Sequence, residues 1–201
     1  MPLLTELHYH PSIAWFQKAV LAEEILLESQ EHYQKQSYRN RCHILTAQGP
    51  LPLTVPVKNG NKKIKALDVE IENDQRWVDV HWRTIKSAYG NAPFFEFYGD
   101  YLQAVYERKP THLFQLNLEL LKLYFKFLKL KTPIRLTETY ETAYPAPVLD
   151  LRNVLHPKRE PDNLDIKEYA QVFGKQFAPN LSILDLLFNL GPEASLYLQN
   201  S

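Results

Sequence analysis

The stretch LLTELHYHPSIAWFQKAVLAEEILLES, residues 3–29, decides the fold. Leu3 to Leu7 is an apolar run of strand length, and Pro11 just beyond it suits the first turn of a helix, where a missing backbone N–H costs nothing. Ile13, Trp15, Phe16, Val20 and Leu21 follow at mixed helical spacing, and Glu24 to Leu27 returns to strand. Strand, helix and strand in so short a span predict a β-α-β unit, which requires a crossover helix between parallel strands.

Outward from this unit, strands are expected at His43 to Thr46 and Leu51 to Val57, with Gly49-Pro50 as the turn between them. Pro52 and Pro56 alternate with Leu51, Leu53, Val55 and Val57, so the second of these belongs at a sheet edge, where proline's missing donor is tolerated. Asn59-Gly60-Asn61 predicts another turn, followed by a strand near Lys65 to Ile71. A helix capped by Asn73 or Asp74 runs to about Tyr89 with Trp77, His81, Ile85 and Ala88 on one stripe, and Gly90 and Pro93 end it. Phe94 to Leu102 continues as an aromatic-rich helix. Thr111 opens the clearest helix, with Leu113, Leu116, Leu120, Leu121, Tyr124, Phe125 and Leu128 inward and Lys122, Lys126 and Lys129 outward.

Ile134 to Thr137 is a further strand. Pro145, Pro147, Pro157 and Pro161 deny a helix to residues 143–163, which read as a surface excursion. Ser182 and Asp185 have the spacing of a capping pair for a last helix, Ile183 to Leu190, closed by Gly191-Pro192. The expected fold is α/β, a mixed sheet with flanking helices, in a single domain covering residues 1–201.

The chain has 201 residues, 45% hydrophobic and 23% charged, which is enough to bury a core without staples and excludes a disordered chain. One cysteine, Cys42, rules out an intrachain disulfide and a Cys-rich metal cluster, and a reducing, cytoplasmic setting fits. Glu6, His8 and His10 interrupt the apolar core that a signal peptide needs. Residues 113–130 carry Glu119, Lys122, Lys126 and Lys129, so no membrane insertion is expected. The six glycines form neither a dinucleotide fingerprint nor a P-loop, and the sequence specifies no cofactor and no oligomeric state.

Net charge is zero, yet residues 32–67 hold Lys35, Arg39, Arg41, Lys58, Lys62, Lys63 and Lys65 with no acid. Within that run Lys35, Arg39, Asn40 and Arg41 form the leading candidate site. Two guanidinium forks and an ammonium suit a phosphate or carboxylate, and Asn40 adds a donor and an acceptor. The competing reading is a solvated basic loop or ion pairs with the acidic remainder. His81 is the candidate acid or base, since imidazole exchanges protons near neutrality, against the commoner case of a packed helix histidine. Tyr89 and Phe94 are candidates for an aromatic wall against a sugar ring, or simply helix-end packing. His8 and His10 on one side of a strand would suit a divalent metal, with His32 the only further ligand in view, so no metal site is assigned. Cys42 is read as a buried structural thiol.

Several stretches together resemble the WbqC-like family: Tyr9 to Phe16, Tyr33 to Arg41, Leu53 to Val57, Trp77 through His81 to Phe94, Leu116-Asn117, and Leu181 to Pro192. Where many members begin with Gln-Pro, this chain has Glu6-Leu7. The resemblance implies a context in cell-surface polysaccharide biosynthesis of the O-antigen type, without carrying a mechanism. It joins with the basic cluster in one reading, a transferase-like enzyme binding an anionic, nucleotide-linked substrate. A non-catalytic protein-binding or assembly module presenting Phe94, Phe95 and Tyr98 is the alternative. Nucleic-acid binding through Lys62, Lys63 and Lys65 is a second, disfavoured by the neutral overall charge.

Overall fold

The computed structural model describes residues 1–159, 165–174 and 176–200. The expected β-α-β opening is present: β1 (Leu3–Glu6) and β2 (Ile25–Glu28) pair in parallel across α1 (Ile13–Ala19), with Leu3 opposite Ile25. The helix starts at Ile13 because the Ser12 side chain accepts a hydrogen bond from the Trp15 backbone N–H, satisfying a donor that the first turn leaves open. β3 (Arg41–Thr46) and β4 (Gly49–Thr54) form an antiparallel hairpin. There follow α2 (Trp77–Tyr89), α3 (Phe95–Glu107), α4 (Leu113–Phe127), β5 (Ile134–Leu136), β6 (Leu149–Asp150), α5 (Ile183–Leu190) and α6 (Ala194–Gln199).

The α/β class holds, and the strands divide into two sheets. One is parallel throughout, in the order β5-β2-β1-β6, and the hairpin stands apart as the other. β1 lies inside its sheet and all four of its residues are buried, as a parallel strand covered on both faces requires. In the hairpin, the outward carbonyl of His43 accepts from Ser182 N–H and the outward N–H of Leu45 donates to the Tyr89 hydroxyl. Their ladder partners Pro52 and Pro50 therefore also point away from the hydrogen-bonded interior of the hairpin. Both prolines sit where a donor would otherwise face the open edge, which protects β4 from further pairing.

Four expectations change. The hairpin turns at Ala47-Gln48, and Gly49-Pro50, expected as that turn, instead opens β4, paired with Thr46 and Leu45. Residues 65–71 are not a strand: a single 3-10 turn, Ala66–Asp68, is flanked by isolated bridges from Lys65 to His32, Glu70 to His112 and Ile71 to Val57. Alternating burial of Val69 and Ile71 gave a strand-like pattern, but their backbone groups are shared among several segments. The cap of α2 is Arg76, not Asn73 or Asp74, and Asn73 instead accepts from Trp77 Nε1 at 3.0 Å. Within residues 143–163, β6 completes the parallel sheet and Leu155 is buried, so this segment builds part of the fold; residues 160–163, with Pro161, lie outside the described residues. By contrast α4 buries all seven residues assigned to its inner face, and Ser182 caps α5 over the predicted span.

Candidate functional site

In an open parallel sheet, ligands bind beyond the carboxyl ends of the strands, where neighbouring connections leave in opposite directions. Here that place is the gap between β1 and β6, since the chain leaves β1 towards β2 on the other side. The sequence puts charge there. Glu6 ends β1, Glu28 ends β2, Asp150 ends β6, and Glu31, Arg39, Arg152 and Asn153 arrive from the following loops. Glu6, Glu28, Glu31 and Arg39 are all at most 5% exposed.

Burial on this scale demands pairing. Arg39 is held by Glu31 through Nε at 2.7 Å and Nη2 at 2.6 Å, donates to Asn153 Oδ1 at 2.9 Å, and places Nη1 3.5 Å from Glu6. Arg152 reaches Glu28 at 3.0 Å and Asp150 at 2.6 Å while lying against the Tyr140 and Tyr144 rings. Glu28 also accepts from the Thr137 hydroxyl at 2.7 Å. The Asn153 N–H donates to both oxygens of Glu6, and Asn153, itself exposed, stands between the cluster and solvent.

Glu6 is the most strongly tuned of these acids. Burial pushes its carboxyl up, but contact with His8 and the charge of Arg39 overturn that and hold it down to about 2. His8 Nε2 lies 3.3 Å from Glu6 Oε1 without hydrogen-bond alignment, and neither ring nitrogen has a hydrogen-bond partner among the described residues. Glu31, also desolvated, is shifted up despite Arg39. A cavity of about 10 Å³, room for roughly one water, opens beside the cluster between Glu28, Glu31, Tyr33, Arg39 and Asn117. The Tyr33 hydroxyl and Asn117 Oδ1 are buried without a hydrogen-bond partner among the described residues, and burial pushes Tyr33 up to about 12 although Arg41 and Arg39 pull it down.

The residues singled out in the sequence separate into different surroundings. Lys35 is exposed and donates to Asn61 Oδ1 at 2.7 Å. Arg39 faces inward, its guanidinium occupied by protein oxygens. Asn40 is buried, donating to the Val55 carbonyl at 2.9 Å. Arg41 is half-buried at the start of β3, and its Nε lacks a partner among the described residues. Tyr89 is fully buried, accepting from Leu45 N–H and donating to Asp185 at 2.9 Å, so its ring offers no wall to a ligand. Phe94 is half-buried and packs against Gly191, whose backbone at φ +55 leaves no room for a Cβ beside that ring. Phe95 is buried, whereas Phe97 and Tyr101 are the exposed rings of that surface.

His81 belongs to a second, sealed network. Its ring bonds the Thr54 carbonyl and its Nδ1 lies 2.8 Å from the Tyr9 hydroxyl, which fixes the proton on Nε2. The chain of donors then runs one way: Tyr124 to His10 Nδ1, His10 Nε2 to Tyr106 at 2.6 Å, Tyr106 to Tyr9 at 2.6 Å, and Tyr9 to His81. Every member is buried, and burial lowers the His81 pKa to about 4 and that of His10 well below its ordinary value. His81 and Arg39 thus lie in separate hydrogen-bond networks. His8 and His10, expected side by side, face Glu6 and Tyr124 respectively, and no cluster of three metal-ligating side chains occurs among the described residues. Cys42 is buried, and desolvation raises its thiol pKa.

Fold and site define an α/β protein whose buried, paired charged side chains converge on the carboxyl edge of a parallel sheet. The WbqC-like protein family model matches residues 7–157 and 161–197, and the chain belongs to that family. It is similar to Uncharacterized protein Rv1507c of Mycobacterium tuberculosis, with 28% identity covering 98% of this chain and 96% of the relative. No solved structure matches it. Among the described residues, no helix is long and apolar enough to cross a membrane.

Proposed function

We propose that this chain is a cytoplasmic, transferase-like enzyme of cell-surface polysaccharide biosynthesis of the O-antigen type, acting on an anionic, nucleotide-linked substrate at the carboxyl edge of the parallel sheet. The observation that carries this reading is the buried Glu6–His8 pair, oriented by Arg39 where β1 and β6 part. A carboxylate beside an imidazole whose other nitrogen is unengaged is the arrangement that accepts a proton from an attacking hydroxyl. Substrate enters by displacing Asn153 from Glu6 and Arg39. Lys35 and Arg41, on the outer side of the same loop, draw the anion in, while Arg39 is the positioning residue for Glu6 and Glu31. Family membership supplies the polysaccharide context.

In this reading His8, not His81, is the acid or base, because the His81 nitrogens are both committed to protein partners. A thermal-shift screen against nucleotide sugars and acyl or aminoacyl donors tests it. At least one nucleotide sugar is expected to raise Tm in the wild type, with the rise lost in Arg41→Ala and kept in His8→Gln, where turnover alone is lost. A panel producing no stabilisation sensitive to Arg41 sinks the reading.

A further inference from the structure

The turn at residues 156–159 supplies cations that the sequence pattern of the basic loop did not include. Arg159 N–H donates to the His156 carbonyl at 3.0 Å across Pro157 and Lys158, a turn with proline at the position its fixed φ favours. Lys158 Nζ donates to Gln36 Oε1 at 2.8 Å, which ties this turn to the 33–41 loop. The Lys158 N–H also donates to His156 Nδ1 at 3.2 Å, leaving Nε2 as the protonated nitrogen of that ring.

We propose that Arg41, His156, Lys158 and Arg159 form a phosphate subsite that holds the diphosphate of a substrate at the mouth of the carboxyl-edge site. Among the described residues, none of these four pairs with a carboxylate, whereas Arg39 and Arg152 further in are saturated by them. Cations gathered from two distant parts of the chain set up a local positive potential that attracts an anion. One buried atom points the same way: Arg41 Nε lacks a hydrogen-bond partner among the described residues. The crowding registers on His156, whose pKa is lowered by partial burial and then by Arg159, Lys158, Arg39 and Arg41. Planar guanidinium forks beside an ammonium and an imidazole N–H match the several oxygens of a diphosphate better than a single carboxylate.

This inference rests on the placement of the site in the preceding proposal, and its test separates the two. Inorganic pyrophosphate is titrated calorimetrically into the full chain, into Arg41→Gln, into Lys158→Ala/Arg159→Ala, and into Lys62→Ala/Lys63→Ala as a charge-matched control elsewhere on the basic run. One saturable site is expected, weakened roughly tenfold or more by either of the first two variants and unchanged in the control. Lys158 and Arg159 are exposed, so that variant reports on binding even where Arg41→Gln disturbs β3. No saturable binding, equal weakening in the control, or tighter binding of short single-stranded RNA than of pyrophosphate overturns the subsite. Pyrophosphate binding with no nucleotide-sugar stabilisation leaves the subsite standing and removes the enzyme reading. Nucleotide-sugar stabilisation indifferent to Lys158 and Arg159 does the reverse.

Discussion

Arg39 ends up between Glu31 and Glu6, and it cannot be exchanged for a smaller or differently shaped cation. The Arg39→Ala variant leaves two buried carboxylates without their partner, a mechanism worth about 3–5 kcal/mol of lost stability. Urea denaturation is expected to show that loss, and Arg39→Lys is expected to recover only part of it, because an ammonium cannot reproduce the two-pronged contact with Glu31. A wild-type-like midpoint for Arg39→Ala would show that the cluster is not held together by this residue. The residue type and its basic neighbours are plain in the sequence. Its partners, at positions 6 and 31, are not, because only the β1 and β2 carboxyl ends brought side by side reveal that the charge is already taken. His81 teaches the same lesson: its stripe on α2 is legible, while the Tyr9 hydroxyl and Thr54 carbonyl that occupy it come from other elements.

At the scale of elements, the hairpin shows what local pattern conveys. Alternating prolines mark an edge strand by their spacing alone, and the ladder shows that Pro50 and Pro52 both occupy outward positions. Replacing them, Pro50→Ala/Pro52→Ala, restores two donors to an edge that already carries exposed carbonyls. Concentration-dependent self-association beyond that of the wild type in light scattering is the expected outcome, with little change in circular dichroism. A variant whose mass matches the wild type at every concentration would mean that the prolines do not guard the edge of β4. The capping pair at α5 divides instructively: Ser182 caps as predicted, but Asp185 turns away to Tyr89, Tyr169 and Gln171, holding α2 and α5 to each other. Spacing located both residues, and only packing gave the second its task. The strand expected at residues 65–71 failed because alternation marks which side chains are buried, not which backbone partners are available.

For the molecule as a whole, the buried histidines set the response to acid. His81 titrates at about 4 in the folded chain against 6.5 when exposed, so the unfolded chain binds more protons between those values. Stability is therefore full above about pH 6.5 and declines as pH falls towards 4, by about 3 kcal/mol from this one group. His10, shifted in the same direction by burial, adds to the decline. Glu6 contributes stability above its ordinary 4.5 and loses it only as pH falls towards 2, while Glu31 and Asp185, both shifted up, oppose the decline. Urea midpoints measured from pH 7 to pH 4 are expected to fall, and to fall less steeply in His81→Gln relative to its own value at pH 7. Equal slopes in the two proteins would place the acid sensitivity elsewhere.

By itself the sequence determined the α/β class, the β-α-β opening, the inner face of α4, the edge character of β4 and the family resemblance, because each is written in the spacing of nearby residues. Tertiary structure alone decided that β6 lies beside β1, that Glu6 and Glu31 share Arg39, and that the turn at 156–159 meets the basic loop. The physical reason is range. Periodicity and capping act over a few residues, whereas a charge cluster depends on which strand ends meet, and that is settled only when the whole core closes.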